Sequence, residues 1–240
     1  MTAGQTDTAN TARAVLFDFS GTLFRFEARD DWFVGLRDDA GESFTPVRQA
    51  DIIRRMVAPV GLPDGIEGGD RTAWERRDLD PELHRVGYLA LLRTVGLSNS
   101  GHANALYDRV LDPDSWVPFA DTVEVLTRLA DAGVPIGIVS NIAFDLRKVL
   151  ALHGIDHVVD AYALSYEVGA IKPDPRIFRA ALDPIGVPAE DVLMVGDSEK
   201  ADGGARALGC SFALVHDVPP ADRPTALLDA VTAHGIELRA

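Results

Sequence analysis

Five short apolar runs recur along the chain and predict buried β-strands. They cover Ala14–Phe17, Pro135–Val139, Ala161–Ser165, Val192–Val195 and Phe212–Val215. Their apolar character is nearly continuous and does not alternate, so we expect both faces of each strand to be buried, as in a parallel sheet. Helical patterns separate the last four runs. This β-α alternation predicts a doubly wound, Rossmann-like α/β sheet of about five strands.

The patterns between these runs predict four helices, at Asp121–Ala132, Phe144–His153, 175–185 and Ala201–Leu208. The third has the clearest end signals, because Asp174 can act as its N-cap and Pro175 suits the first helical position. Gly186 follows it as a stop signal.

Roughly ninety residues after the first run contain helical patterns but no convincing strand. The clearest helix there takes Asp80 as its N-cap and Pro81 as its first residue, and it runs to Gly96. An insert at this point would lie above the carboxyl ends of the strands, where ligands bind in such folds. We therefore predict a catalytic core of residues 1–24 and 118–240. Residues 25–117 would form a helical lid, with hinges near 24–29 and 113–118.

The composition limits the partners and the compartment. Lys and Arg number 23 against 37 Asp and Glu, which gives a net charge of −14 and argues against a nucleic-acid partner. Any phosphate site must therefore be built locally from backbone N–H groups, a metal ion and a few cations. Cys210 is the single cysteine, so no disulfide framework is expected. No stretch reaches the ~20 apolar residues of a membrane helix. We expect a cytoplasmic protein with no membrane partner, whose oligomeric state the sequence leaves open.

Polar residues follow the predicted strands where each one ends. Asp18 ends the first strand, Ser140 and Asn141 end the second, and Asp197 ends the fourth. Lys172 lies just before the helix that follows the third strand. Because the carboxyl ends of parallel strands share one edge of a sheet, we expect these side chains to converge.

The converging groups suit phosphoryl transfer. Asp18 and Asp197 are hard oxygen ligands of the kind that Mg²⁺ prefers, and Asp202 would hold a metal-bound water or orient Lys172. The hydroxyl of Ser140 and nearby backbone N–H groups would bind phosphate oxygens. In this setting the carboxylate of Asp18 can attack phosphorus and form an aspartyl-phosphate.

Four segments, in this order, resemble the four motifs of the haloacid dehalogenase (HAD) superfamily of phosphohydrolases. They are FDFSGTLF, IVSN, IKPDPRIF and VGDSEKADGGARALG. The resemblance covers nearly the whole chain, and the insert is similar in position to the small helical cap of the first cap class. It implies a nucleophilic Asp18, a Mg²⁺ cofactor, a small phosphorylated substrate and a metal contact from the backbone carbonyl of Ser20.

Residues and resemblance together assign three roles. The predicted catalytic residues are Asp18, Ser20, Ser140 and Lys172. The predicted substrate-binding residues are Gly21, Thr22, Ser140, Asn141 and Lys172. The predicted metal ligands are Asp18, Ser20, Asp197 and Asp202.

Ser20 departs from the family pattern. The first motif of the family reads Asp-x-Asp-Gly-Thr, and its second Asp is the general acid and base. A serine hydroxyl is too weak an acid for this role, and a positioned acid–base typically contributes ~10²–10⁴-fold to the rate. Alkyl phosphates should therefore react slowly, whereas acyl and aryl phosphates, with better leaving groups, should be less affected.

Other chemistries of the family fit less well. The dehalogenases lack the metal carboxylates that Asp197 and Asp202 supply here, and phosphonoacetaldehyde hydrolases need a cap lysine, which is missing between residues 25 and 117. P-type ATPases need membrane helices. Three hypotheses remain, namely a phosphatase whose missing acid comes from the cap, the substrate or a water, a phosphotransferase, and a phosphoryl-ligand binding protein of low activity. The candidate proton donors in the cap are His84, His102, Asp30, Asp31 and Glu75.

Overall fold

The computed structural model describes residues 11–29, 31–57 and 61–238. The strands in these ranges are β1 Ala14–Phe17, β2 Phe24–Phe26, β3 Trp116–Pro118, β4 Ile136–Ser140, β5 Ala161–Leu164, β6 Val192–Gly196 and β7 Ser211–Leu214. Five of them form a parallel sheet in the order β5-β4-β1-β6-β7. The predicted Rossmann-like α/β fold is therefore confirmed.

Helices connect and cover the strands. Those in the described ranges are α1 Pro46–Val57, α2 Gly68–Glu75, α3 Pro81–Thr94, α4 Ser100–Leu111, α5 Thr122–Asp131, α6 Arg147–Leu152, α7 Ser165–Val168, α8 Pro175–Ile185 and α9 Ala226–Ala233. Short 3₁₀ turns lie between them, and the longest covers Asp202–Leu208. Within the part of the chain that the structure describes, no helix has both the length and the apolar character needed to cross a membrane.

Strand β1 shows why its apolar run is continuous. All four of its residues are fully buried. Val15 and Phe17 belong to the apolar cluster on one face of the sheet, and Ala14 and Leu16 belong to the cluster on the other face. Since successive side chains of a strand point to opposite faces, a strand that is covered on both sides needs an apolar residue at every position.

Helix α8 follows the predicted end signals closely. Pro175 is its first residue, and the side chain of Asp174 accepts a hydrogen bond from the backbone N–H of Arg176 at 2.9 Å. Gly186 ends the helix in the left-handed region, with φ +70°. This cap fixes the loop that carries Lys172 to the start of a helix whose inner face is buried.

Two helices predicted from the pattern are shorter or different in the structure. The segment predicted at 144–153 becomes helical only at Arg147, because the side chain of Asp145 accepts the backbone N–H of Arg147 and forms a turn. The segment predicted at 201–208 is a 3₁₀ helix, not an α-helix. It contains Gly204, where an added Cβ would lie 2.6 Å from the side chain of Pro173, so close packing takes precedence over helix propensity here.

The insert between β2 and β3 has an apolar cluster of its own, formed by side chains within residues 32–110. Its helix α3 begins as predicted, and Asp80 Oδ1 accepts the backbone N–H groups of Glu82 at 2.8 Å and Leu83 at 3.2 Å. The helix ends at Thr94, two residues before Gly96, which has φ +78°.

The expectation of no strand in residues 25–117 was wrong. Strands β2 and β3 pair in an antiparallel ribbon that joins Phe24 to Pro118 and Phe26 to Trp116. Each has only three residues, which is too short for an apolar alternation to stand out in the sequence. Both predicted boundaries of the insert fall inside this ribbon.

Candidate active site

Predicted site residues meet at the carboxyl-terminal edge of the sheet. Asp18 directly follows β1 and Asp197 directly follows β6, and these strands are neighbours. Lys172 lies in the loop between α7 and α8. Its Nζ donates hydrogen bonds to Asp18 Oδ1 at 2.5 Å and to Asp202 Oδ1 at 2.6 Å. Segments more than 150 positions apart in the sequence thus share one buried ion-pair network.

Three carboxylates at this edge of the sheet form an acidic triad, which we define as Asp18, Asp197 and Asp202. One oxygen of each lies within 4.8 Å of an oxygen of the other two. When all are ionised, Lys172 leaves two of their three negative charges uncompensated. Clustered carboxylate oxygens with excess negative charge are the donor set that hard divalent cations prefer. The triad therefore fits a metal ion.

The electrostatics of the site follow from burial. Desolvation raises the pKa of Asp18 to about 7; Lys172 opposes this rise, and the charges of Asp202 and Asp197 add to it. Desolvation likewise raises the pKa of Asp197 to about 6, with a further rise from Asp202. For Lys172, burial alone would lower the pKa, but Asp18 and Asp202 raise it above its usual value, so the ammonium stays charged. Added positive charge would favour ionised carboxylates in the triad.

Two glycines allow the triad to assemble. Gly21 has φ +82°, and a Cβ built there would lie 2.4 Å from Asp197 Oδ2. At Gly196 an added Cβ would lie 2.3 Å from the carboxyl carbon of Asp202. Contacts this short cannot be accommodated without moving the carboxylates. Steric crowding therefore explains why these positions of the first and fourth motifs are occupied by glycine.

Thr22, Asn141 and Ser140, predicted to bind phosphate, have different surroundings. Thr22 is fully buried, and its hydroxyl donates to Asp18 Oδ2 at 3.2 Å. The side-chain amide of Asn141 accepts the N–H of Lys172 at 2.7 Å and donates to its carbonyl at 3.3 Å, so Asn141 holds the lysine loop in place. Ser140 ends β4 and is 2% exposed.

Ser20 lies in more exposed surroundings than Asp18. It is exposed and lines a cavity of about 270 Å³ between the edge of the sheet and the insert, whereas Asp18 is 5% exposed. The polar residues that line this cavity are Ser20, Arg77, Asp78, His84, Tyr88 and Asn141. The position that holds the acid in the family motif therefore borders this cavity.

Most of the predicted proton donors are elsewhere. Asp30 lies outside the described residues. Asp31 is exposed, Glu75 pairs with Arg71, and the ring of His102 lies 3.1 Å from the backbone nitrogen and oxygen of Arg37. His84 does line the cavity, but burial lowers its pKa to about 3, so it is neutral at pH 7.

Asp78 and Arg77 are cavity residues that the sequence analysis missed. Burial raises the pKa of Asp78, and the guanidinium of Arg77 lies 3.8 Å from its carboxylate. Their signal in the sequence is weak, because an adjacent Arg-Asp pair is common on helix surfaces. They precede the capped helix α3 and are half-buried where the insert meets the core.

Arg223 was also missed, and it supports the first motif from far along the chain. Its Nη1 and Nη2 donate to the backbone carbonyls of Gly21 at 2.8 Å and Thr22 at 2.9 Å, and its guanidinium lies 3.7 Å from the ring centre of Phe119. It is 4% exposed. In a chain whose basic residues are nearly all arginine, nothing in the local sequence distinguishes this one.

Replacing His84 with asparagine should reduce the loss of stability in acid. His84 binds a proton in the unfolded chain near pH 6.5 but in the folded protein only near pH 3, so the unfolded state takes up more protons between these values. The free energy of unfolding of the wild type should therefore fall, through this group, by up to about 1.4 kcal/mol per pH unit below pH 6.5. Urea unfolding at pH 7, 6, 5 and 4 measures the slope.

The wild type and His84→Asn are compared by the slope of the unfolding free energy against pH and not by its absolute value. The absolute value also changes, because the asparagine alters the 2.7 Å contact of His84 Nδ1 with the hydroxyl of Tyr107. His157→Asn, at an exposed position, is the matched control. Equal slopes for the wild type and His84→Asn would show that His84 is not held neutral by its surroundings.

Known proteins resemble this chain. The family model for haloacid dehalogenase-like hydrolase matches residues 12–209. A glyceraldehyde 3-phosphate phosphatase of Methanopyrus kandleri is 32% identical over 254 residues, covering 91% of this chain and 97% of that protein. Haloacid dehalogenase-like hydrolase domain-containing protein 3 of Danio rerio is 33% identical over 128 residues, covering 49% of this chain and about half, 53%, of that protein.

A solved structure supports the fold. A HAD family enzyme of Bacteroides thetaiotaomicron, in complex with magnesium and inorganic phosphate, has a TM-score of 0.56 at 16% identity, with 87% of this chain and 96% of that chain covered. At this identity the likeness concerns the fold alone. The family match over residues 12–209, together with the M. kandleri relative, shows the membership directly. This chain belongs to the haloacid dehalogenase-like hydrolases.

Proposed function

We propose that this hydrolase is a Mg²⁺-dependent phosphatase that acts on a small phosphorylated metabolite through an aspartyl-phosphate at Asp18. The observation that carries the proposal is the contact of Lys172 with both Asp18 and Asp202 inside the acidic triad. The M. kandleri relative, which matches over 97% of its length, is named a phosphatase. This name supports phosphate-ester hydrolysis as the reaction of this chain.

The residues of the site have distinct roles in the proposed reaction. Lys172 and Thr22 donate to the two carboxylate oxygens of Asp18 and so fix the orientation of the nucleophile. A carboxylate oxygen of Asp18 bonds to phosphorus while the bond from phosphorus to the leaving oxygen breaks. Water then attacks phosphorus, phosphate leaves, and the Asp18 carboxylate is restored. Positioning and neutralisation of charge are the main demands of such a transfer.

The acidic triad and the backbone carbonyl of Ser20 would hold Mg²⁺. When bound, this ion supplies positive charge next to the phosphoryl oxygens. Lys172 compensates one of the three carboxylates of the triad, and the remaining excess of negative charge would repel a phosphate dianion. The donor set therefore supports a divalent cation in this site in addition to its lysine.

Removing divalent cations should abolish hydrolysis of p-nitrophenyl phosphate, and adding Mg²⁺ back should restore it. Because an ion held by the triad relieves the repulsion between its carboxylates, Mg²⁺ should also raise the melting temperature of the EDTA-treated protein. An ion at 100 times its Kd adds about 2.7 kcal/mol to the free energy of unfolding. Colorimetric assay and thermal unfolding measure the two effects separately.

Asp197→Asn should weaken both effects, since it removes one of the negative charges of the triad that would hold the ion. Asp183→Asn, at an exposed position on α8, makes the same change of charge away from the site and should leave both intact. Full activity in EDTA, together with an unchanged melting temperature on Mg²⁺ addition, would contradict the proposed cofactor.

The insert would act as the lid of this site and set its specificity. The backbone carbonyl of Asp78 accepts a hydrogen bond from the hydroxyl of Ser165, which docks the insert onto the core beside the cavity. Met56, Val57 and Val110 of the insert line this cavity together with Ile142 of the core. The residues that surround a leaving group would therefore come largely from 25–117.

Ser20 supports a second candidate function, phosphotransfer. Without an acid–base at this position, the aspartyl-phosphate would react slowly with water, and an acceptor alcohol could compete for the phosphoryl group. Measuring phosphate release and transfer to glycerol in the same reaction separates the two. Binding of a phosphorylated ligand without any product would favour the third hypothesis, a binding protein.

A further inference from the structure

The cavity beside Ser20 is walled by aromatic rings that touch one another. Ring centroids lie 5.4 Å apart for Phe26 and Trp116, 5.8 Å for Trp116 and Phe144, 6.4 Å for Phe144 and His84, and 4.3 Å for His84 and Tyr88. All five rings line the cavity. Faces and edges of aromatic side chains attract a further ring in offset or edge-to-face geometry. This wall is therefore suited to a planar apolar group.

The charged groups of the cavity leave little attraction for a second anion. Arg77 and Asp78 are the charged side chains among its described lining residues, and they lie 3.8 Å apart. The guanidinium of Arg77 also donates to the backbone carbonyl of Trp74 at 2.9 Å and lies over its ring at 4.5 Å. His84 is neutral at pH 7, because burial lowers its pKa to about 3. The attraction of Arg77 for a carboxylate or second phosphate on the substrate is therefore weakened by Asp78.

The size of the cavity limits the group that it can hold. Its volume is about 270 Å³. A protein cavity of about 150 Å³ lined by apolar side chains is known to hold one benzene molecule. One ring with small substituents fits within this volume.

Ser20 favours the same class of substrate for a chemical reason. A phenol has a pKa of about 10, like the side chain of tyrosine, whereas water, which resembles an alkyl alcohol, has a pKa of about 15.7. A phenolate can leave as an anion, while an alkoxide needs a proton during departure. A site with serine in place of the acid therefore handles aryl esters with the smaller loss of rate.

We propose that the substrate is an aryl phosphate, the phosphate monoester of a single-ring phenol whose ring this cavity binds. The proposal rests on the phosphatase activity proposed above. Asp18 forms a bond to phosphorus as the bond from phosphorus to the phenolic oxygen breaks, and the electron pair leaves with the phenolate. Water then attacks the aspartyl-phosphate and releases phosphate, and the phenolate takes up a proton from solvent. Aryl phosphate and water thus give phenol and phosphate.

Inhibition by phosphonates tests the ring site without any leaving-group effect. Acetyl phosphate, a small substrate that does not need the cavity, serves for the assay with Mg²⁺. Phenylphosphonate should inhibit its hydrolysis at least about tenfold more tightly than methylphosphonate, since burying a ring contributes more than burying one methyl group. Phosphonoacetate, which carries a carboxylate, should be no better than methylphosphonate. Equal or weaker inhibition by phenylphosphonate would overturn the proposal.

A substitution in the cavity wall gives a second readout. Val57→Trp fills part of the cavity and should raise the inhibition constant of phenylphosphonate about fivefold or more relative to that of methylphosphonate. Val47→Trp, 81% exposed on the same helix, is the matched control and should leave this ratio unchanged. If Val57→Trp does not fold, the order of the inhibition constants of the three phosphonates, measured on the wild type, still tests the proposal.

The two proposals fail in different ways. Acetyl phosphate hydrolysis that is absent, or that survives Asp18→Asn, would overturn the phosphatase mechanism and the aryl phosphate with it. Hydrolysis that depends on Asp18 but shows no preference for the phenyl group would overturn the substrate class alone. In the supporting case, kcat/KM for phenyl phosphate exceeds that for glycerol 1-phosphate by at least about 10²-fold, the lower end of a typical acid–base contribution.

Discussion

Asp18→Asn is expected to lower kcat for p-nitrophenyl phosphate by roughly 10⁴-fold or more, the scale of loss when a covalent nucleophile is removed. An amide oxygen does not form the phosphorylated intermediate, whereas the side chain keeps nearly the same shape. Steady-state assays with Mg²⁺ measure the loss. Trapping phosphorylated protein by rapid acid quench should label the wild type and leave the variant unlabelled.

The loss should come from chemistry and not from unfolding. Burial raises the pKa of Asp18 to about 7, so above that pH the folded metal-free protein holds a carboxylate in surroundings that disfavour its charge. Removing this charge should leave the melting temperature of the metal-free protein unchanged or raise it. Asp183→Asn is the control for the change of charge. Activity that survives Asp18→Asn would exclude an aspartyl-phosphate at this residue.

Ser20→Asp should raise kcat/KM for alkyl phosphates by about 10²-fold, the lower end of a typical acid–base contribution. Ser20 is exposed and lines the cavity, so an aspartate side chain can be accommodated there. The gain should be much smaller for phenyl phosphate, because a phenolate leaves without a proton. A panel of phosphate esters ordered by the pKa of the leaving alcohol measures both.

Ser20→Asn separates the acid from the change of size, since asparagine has the shape of aspartate but no proton to donate. Equal rates for the two variants, in folded protein, would mean that another group already supplies the proton. Asp78 would then be the candidate, because it lines the same cavity and burial raises its pKa.

The features that the sequence predicted depend on local signals, whereas the features that it missed depend on contacts between distant segments. The apolar runs and the capping signals act locally or through one sheet edge, and they were enough to predict β1, α8 and the meeting of Asp18 with Lys172. The chemical roles assigned to the predicted site residues, from Asp18 to Asp202, stay predictions.

The residues that were missed have contacts with segments that are far away in the sequence. Arg223 reaches the carbonyls of the first motif across some 200 positions, and Asp78 is half-buried where the insert docks on Ser165. Neither has a local pattern that differs from an ordinary surface charge. The 3₁₀ helix at Asp202–Leu208 likewise reflects the close approach of Gly204 to Pro173, which no local propensity indicates.

The ribbon of β2 and β3 brings the two ends of the insert side by side, since Phe26 is paired with Trp116 across adjacent strands. Paired residues of antiparallel strands lie about 5 Å apart, a gap that a two-residue hairpin turn can close. The chain can therefore gain, lose or exchange everything between these residues without redirecting β1 or α5. The insert can therefore be replaced as a unit, by evolution or by protein engineering, while the sheet that carries the candidate active site stays the same. Such a replacement would adapt one sheet to different substrates.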